Sequence, residues 1–326
     1  MGYPFQGIIN RRSPHFPIIL IVCLSLGCSG KNGMNEPGEK AAFKGQYPIR
    51  AVATVGMIGD AITRVGKGLV SVECLMAPGV DPHLYKASQK DVDRLDKADI
   101  VFYGGLHLEG KMTEILEKIG RIKPSIPVGE QLPAESLIRS EMKQGEITTD
   151  PHVWFDASLW AIVVEKIGEA LAGFDPSHAS AYQGEAQAYR KEILELHEWA
   201  KARIAEIPQS QRLLVTAHDA FHYFGRAYGI EVRGLQGMST ASEFGLNDVN
   251  QLVDTIVERK IKAMFIETSI PRRSIEAVQQ GCLARGQQVV IGGELFSDSM
   301  GDPSTPEGTY LGMFRHNINT IVDSLK

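Results

Sequence analysis

Acidic residues are missing from the start of this 326-residue chain: none precedes Glu36, while Arg11 and Arg12 stand ahead of "FPIILIVCLSLGC". A basic start, a short apolar core and small residues at its end predict a cleaved secretory signal over residues 1–27. No apolar run approaches the roughly 20 residues that a spanning helix needs, so no transmembrane segment is expected. Cysteine is scarce, at four residues. Beyond position 28 only Cys74 and Cys282 remain, far apart in sequence, which excludes a disulfide scaffold and leaves both expected as free thiols. The chain lacks a long basic run and carries a formal charge of −5, which argues against nucleic acid as a partner. It also lacks an HExxH motif, a Ser-His-Asp set and any short-period repeat.

What is present describes a globular protein. A hydrophobic fraction of 43% against 22% charged residues supports a sizeable core, and the length suits two domains. Residues 28–47, including "SGKNGMNEPGEKAAFKG", read as a polar tether. After it, strand-like runs at 49–55, 69–76 and 98–105 alternate with helical patterns such as "SQKDVDRLDKA" and "KMTEILEKIG". The pattern returns at 212–217, 230–235, 263–268 and 288–293. Such alternation predicts an α/β fold of two domains, each a parallel sheet flanked by helices, over residues 48–175 and 209–326. Between them, residues 176–208 are expected to form one long spine helix, N-capped by Asp175-Pro176 and stopped at Pro208.

The tripeptide Asp-Pro-His occurs twice, at 81–83 and 150–152. Proline fixes its own φ and biases the residue before it towards extended backbone, so each unit is a stiff mount for an imidazole. Asp81 and Asp150 are expected either to support these rings or to cap the following turn. His218 follows the strand "RLLVTA". Ligands of open parallel sheets bind beyond the carboxyl ends of the strands, where His83, His152 and His218 all fall. Convergent neutral imidazoles suit zinc, and manganese when carboxylate oxygen is added. The loop "GGELFSDSMG" offers Asp298 as that oxygen, with Glu294 nearby. The expected site is thus three histidines and one aspartate, two donors from each half. Of the other histidines, His15 falls in the signal, and His178, His197 and His316 are expected at the surface or at caps. His222, four residues after His218, reads as a rim or structural residue.

Together "GVDPHLYKAS", "GLHLEGKM", "DPHVWFD", "TAHDAFHYFGRAYG" and "ELFSDSMG", in this order from about residue 48 to the end, resemble the metal-binding solute-binding proteins of ABC importers, the zinc and manganese cluster that includes TroA and ZnuA. The resemblance implies two α/β domains joined by a long helix and one Zn²⁺ or Mn²⁺ per chain as transported ligand. By motif it assigns His83, His152, His218 and Asp298 as the donors. It further implies Glu243 as a carboxylate orienting His218, His107 as a structural residue near the cleft, and a monomer that serves a membrane permease and its cytoplasmic ATPase. Zinc-specific members carry a His-rich loop before the second donor; here "RSEMKQGEITTD" has none, which points to the mixed-specificity group. The signal's end, "LSLGC", resembles a bacterial lipobox with Ser25 in place of the usual Leu, implying acylation of Cys28 and a lipid-anchored, exported protein, periplasmic or at the cell surface. The alternative is a secreted zinc-dependent hydrolase with Glu294 as its base. Four protein donors argue against it, because a catalytic zinc keeps one position open.

Overall fold

The structure, a computed structural model, describes residues 43, 45–141 and 147–326. The expected signal, Cys28 and most of the tether lie outside the described residues. The first half runs β1 (Ile49–Ala53), α1 (Gly56–Gly66), β2 (Val70–Cys74), α2 (Gln89–Lys97), β3 (Ile100–Tyr103), α3 (Thr113–Gly120) and β4 (Ser125–Pro127). Its strands form one parallel sheet in the order β2-β1-β3-β4. A strand covered on both faces reads as a continuous apolar run. Accordingly "IRAVA" of β1 is buried except at Arg50, which pairs with Asp99 at 2.6 Å. An antiparallel hairpin of β5 (Arg139–Glu141) and β6 (Ile147–Thr149) follows, in a stretch with no strand signal in sequence.

Two long helices come next, α4 (Ala157–Phe174) and α5 (Ala179–Ile204). At 26 residues, α5 is shorter than the expected 176–208. Asp175 and Pro176 do not start it: they belong to a separate 3-10 turn, and Asp175 is buried as the acceptor of the Tyr47 and Tyr182 hydroxyls at 2.8 and 2.9 Å. Tertiary partners have taken the carboxylate that a helix cap would use. His197, expected at the surface, is instead buried, its Nδ1 3.0 Å from Tyr228 Oη. It lies on the stripe Tyr182, Ala186, Tyr189, Ile193, Leu196 and Ala200, whose spacing of three and four makes one helix face. That face meets α4 closely at Gly168, where a Cβ would lie 2.6 Å from Ala186 Cβ. Gly168→Val should therefore destabilise the protein by about 3 kcal/mol through overpacking, read as a lower unfolding temperature of the metal-free form.

The second half continues with β7 (Leu213–His218), α6 (His222–Tyr228), β8 (Glu231–Gln236), α7 (Leu246–Arg259), β9 (Ala263–Glu267), α8 (Arg273–Ala284), β10 (Val290–Leu295) and α9 (Tyr310–Leu325). β7 pairs with β8 and β9 with β10, both in parallel, and β7 lies against β9. Side chains alternate across these strands. Leu213, Val215 and Ala217 of β7, with Met264 and Ile266 of β9, enter a core beneath α7 and α8. Leu214, Ala263 and Phe265 enter the larger core that runs through β1, β3, α4, α5 and α9. By the same parity His218 and Glu267, the last residues of their strands, fall on the face towards the first half. Among the described residues no helix is long and apolar enough to cross a membrane.

Candidate metal centre

The two Asp-Pro-His units fold alike. Asp81 Oδ1 accepts the His83 amide at 2.8 Å, and Asp150 Oδ1 accepts the His152 amide at 2.9 Å. In each, an Asx-type turn closes around a proline whose fixed φ suits it. Beyond that turn they differ. Asp150 Oδ1 also lies 2.8 Å from His152 Nδ1, and its Oδ2 lies 3.1 Å from His222 Nδ1. Asp81 Oδ2 instead accepts the Thr240 hydroxyl at 2.6 Å. His218 is the last residue of β7 itself rather than the residue after it, and α6 opens only at His222. Glu267 Oε2 lies 2.6 Å from His218 Nδ1, and Oε1 accepts the His218 amide at 2.9 Å. Asp298 sits in the loop after β10, pinned on either side. The Ser297 carbonyl accepts the Trp154 indole N–H at 3.0 Å, and Ser299 Oγ accepts the Gly79 amide at 2.9 Å.

These mounts bring His83, His152, His218 and Asp298 together, with one donor atom of each within 4.8 Å of all the others. Asp298 Oδ1 lies 3.3 Å from His152 Nε2; its Oδ2 lies 3.3 Å from His218 Nε2 and 3.7 Å from His83 Nε2. The two imidazoles of the first half approach at 3.3 Å between Nε2 atoms. A tetrahedron with metal–ligand bonds of 2.0–2.1 Å has edges of about 3.4 Å, and the 3.3 Å separations here are of that size, with the Asp298 approaches divided between its two oxygens. All four side chains are buried, at 0 to 3% exposure. Buried polar atoms are normally hydrogen-bonded. Both Asp298 oxygens and His218 Nε2 nevertheless have no hydrogen-bond partner, as a shared cation would require of them.

The electrostatics are those of donors already paired with charge. Burial alone would raise the Asp298 acid, yet the His218 and His152 imidazoles hold it well below the usual carboxylate range. Burial opposes protonation of His152, but Asp150 and Asp298 outweigh it and raise the ring to about 9. Glu267 and Asp298 likewise outweigh burial at His218, which is raised well above an ordinary imidazole. His83 lacks a carboxylate on its Nδ1, and burial drives it down to about 3. Asp150, despite burial, is lowered to about 2 by His152 and His222.

Other residues singled out in sequence lie elsewhere. Glu243 is exposed between β8 and α7, and the carboxylate on His218 is Glu267. Glu267 was missed although it carries the positional mark that flagged His218, a polar residue closing an apolar strand. Glu294 is exposed within β10 rather than in the loop beyond it. His222 is part-buried at the rim, bonded to Asp150. His107 is exposed at φ 64° and outside the cluster. Cys74 and Cys282 are free.

Residues 51–324 match the family of ZnuA, the periplasmic component A of the zinc-uptake complex. The chain belongs to this family. Manganese-binding lipoprotein MntA of Bacillus subtilis (strain 168) is 49% identical to it over 288 residues, covering 88% of this chain and 93% of that protein. Zinc-binding protein TroA of Treponema pallidum (strain Nichols) is 46% identical over 288 residues, covering 88% and 92%. The solved structure of periplasmic zinc-binding protein TroA from Treponema pallidum superposes with a TM-score of 0.81 at 46% identity, over 85% of this chain and 98% of that one. The two relatives are named for different metals at nearly equal identity, so overall similarity does not select between them.

Proposed function

We propose that this protein is the extracytoplasmic receptor of an ABC importer, capturing one Zn²⁺ or Mn²⁺ ion and delivering it to the membrane permease and its cytoplasmic ATPase. The ion is cargo and the protein is not an enzyme. His83, His152, His218 and Asp298 are the donors. The observation that carries this assignment is the set of four buried residues whose donor atoms lie within 4.8 Å of one another, with His218 Nε2 and both Asp298 oxygens lacking a hydrogen-bond partner. Glu267 and Asp150 orient the His218 and His152 rings so that Nε2 faces the ion, a role that usually matters 10–100-fold in affinity. Zinc fits the site as a tetrahedron. Manganese fits it with Asp298 binding through both oxygens, and zinc should bind the more tightly of the two. Glu294 is exposed, so nothing supports it as the base of a hydrolase.

Removal of residues 1–27 and acylation of Cys28 would anchor the chain through the tether at 28–47, leaving a monomer with lobes at 48–175 and 209–326 on either side of the 176–208 link. The test is calorimetric titration of metal-free protein with Zn²⁺ and Mn²⁺, separately and in competition. One tight site per chain is expected, and it should vanish in His152→Ala. No tight site for either ion, or a tight site that survives in His152→Ala, would sink the assignment.

A further inference from the structure

A receptor must hold its ion and also surrender it, and its four donors come from two halves of the chain. A continuous run of hydrogen bonds joins the His83 turn to the His218 strand without passing through the donor atoms. His218 is the register partner of Gln236 in the β7–β8 ladder. The Gln236 side-chain amide donates to the carbonyls of Thr240 and Ser242, at 3.0 and 2.7 Å, and so folds the segment after β8 back on the strand end. That fold delivers the Thr240 hydroxyl to Asp81 Oδ2 at 2.6 Å, while Asp81 Oδ1 holds the His83 amide at 2.8 Å. Thr240 is 8% exposed although residue 237 and residues 241–247 around it are exposed. One hydroxyl of a surface segment is inserted across the chain's midline, onto the carboxylate that shapes a donor loop. The His152 turn has no such tie to this segment, because the second oxygen of Asp150 is taken by His222.

We infer that Thr240 is a positioning residue of the metal site: its hydrogen bond to Asp81 latches the His83 loop to the second half and sets the rate at which the ion leaves. The inference rests on the receptor reading above. A hydrogen bond to a carboxylate is stronger than one between neutral groups. Its loss frees the Asp81 turn and with it one donor, a change that acts on dissociation rather than on encounter.

The test is to load the protein with Zn²⁺, mix it with excess EDTA, and follow release by tryptophan fluorescence, since the Trp154 ring lies 5.4 Å from that of His152. Thr240→Val keeps the shape and removes the hydroxyl. It should release zinc roughly tenfold faster, about 1.4 kcal/mol, with association unchanged, and Thr240→Ser should restore the parent rate. Gln236→Leu leaves the hydroxyl but frees its segment, and should speed release in the same direction. A purely packing role predicts the reverse order, with the valine variant behaving as the parent and the serine variant impaired; that result would overturn the latch. So would parental rates in both Thr240→Val and Gln236→Leu. Absence of zinc binding in the parent protein would overturn the receptor reading itself and the latch with it.

Discussion

Asp298→Ala should abolish high-affinity metal binding and, separately, destabilise the metal-free protein. Asp298 is 1% exposed and lies 3.3 to 3.7 Å from three imidazole nitrogens, so in the proposed site it serves as both the anionic donor and the counter-charge of the cluster. Deleting one partner of a buried ion pair typically costs roughly 3–5 kcal/mol, because the other charge is left uncompensated. Here the two raised imidazoles can shed protons, which places the expected loss near 3 kcal/mol. The effect on metal should exceed the 10–100-fold typical of losing a residue that only supports a ligand. Asp298→Asn, which keeps the shape and one oxygen, should recover more of the stability than of the affinity. Thermal unfolding of metal-free variants and zinc titration of the same samples read the two effects independently. An alanine variant that binds zinc like the parent would remove Asp298 from the donor set.

Zinc affinity should fall at least tenfold for each pH unit between pH 8 and pH 6. In the metal-free protein the His152 ring is raised to about 9 and so carries a proton over this range, and His218 is raised in the same direction. Asp150 and Glu267 face the Nδ1 atoms, so the ion and a proton compete for Nε2. The sign follows from that competition. Below the raised values a proton must leave before the ion can bind, so affinity rises with pH and is lost as the solution is acidified. One proton displaced per ion gives a factor of ten, or about 1.4 kcal/mol, per unit. His83, held near 3, is already neutral and adds no dependence in this window. Titrations in buffers of different ionisation enthalpy count the released protons directly. A zinc affinity flat between pH 6 and 8 would contradict the protonation pattern described here.

The positions of the proposed donors were legible because each occupies a place that local chemistry marks. Two lie in stiff Asp-Pro-His turns, one closes an apolar strand, and one sits in a polar loop after the last strand. The partners of these residues were far less legible. The family resemblance implies Glu243 as the partner of His218, but Glu267 holds the ring from 49 residues away. The neighbour of β7 across the face is β9, and adjacency of strands is a property of the sheet, not of the intervening sequence. His197 is expected at the surface or at a cap because an ionisable residue in a polar helix usually is. In the folded protein the face it shares with Tyr189 and Leu196 is the one that packs, and Tyr228 satisfies its ring.

Composition, periodicity and proline placement were enough by themselves to indicate the α/β class and a long connecting helix, and they narrowed the candidate metal donors that the family resemblance then singled out. These features depend on near neighbours along the chain: alternation of burial, backbone restriction by proline, and side-chain chemistry. Only the tertiary structure decided which carboxylate supports which imidazole, that Asp175 is used by tyrosines rather than by a helix cap, and that Thr240 reaches Asp81. Those choices turn on distances between segments up to 159 residues apart. Such distances follow from packing the whole chain at once, because a hydrogen bond forms only where the rest of the fold has already brought both partners within about 3 Å.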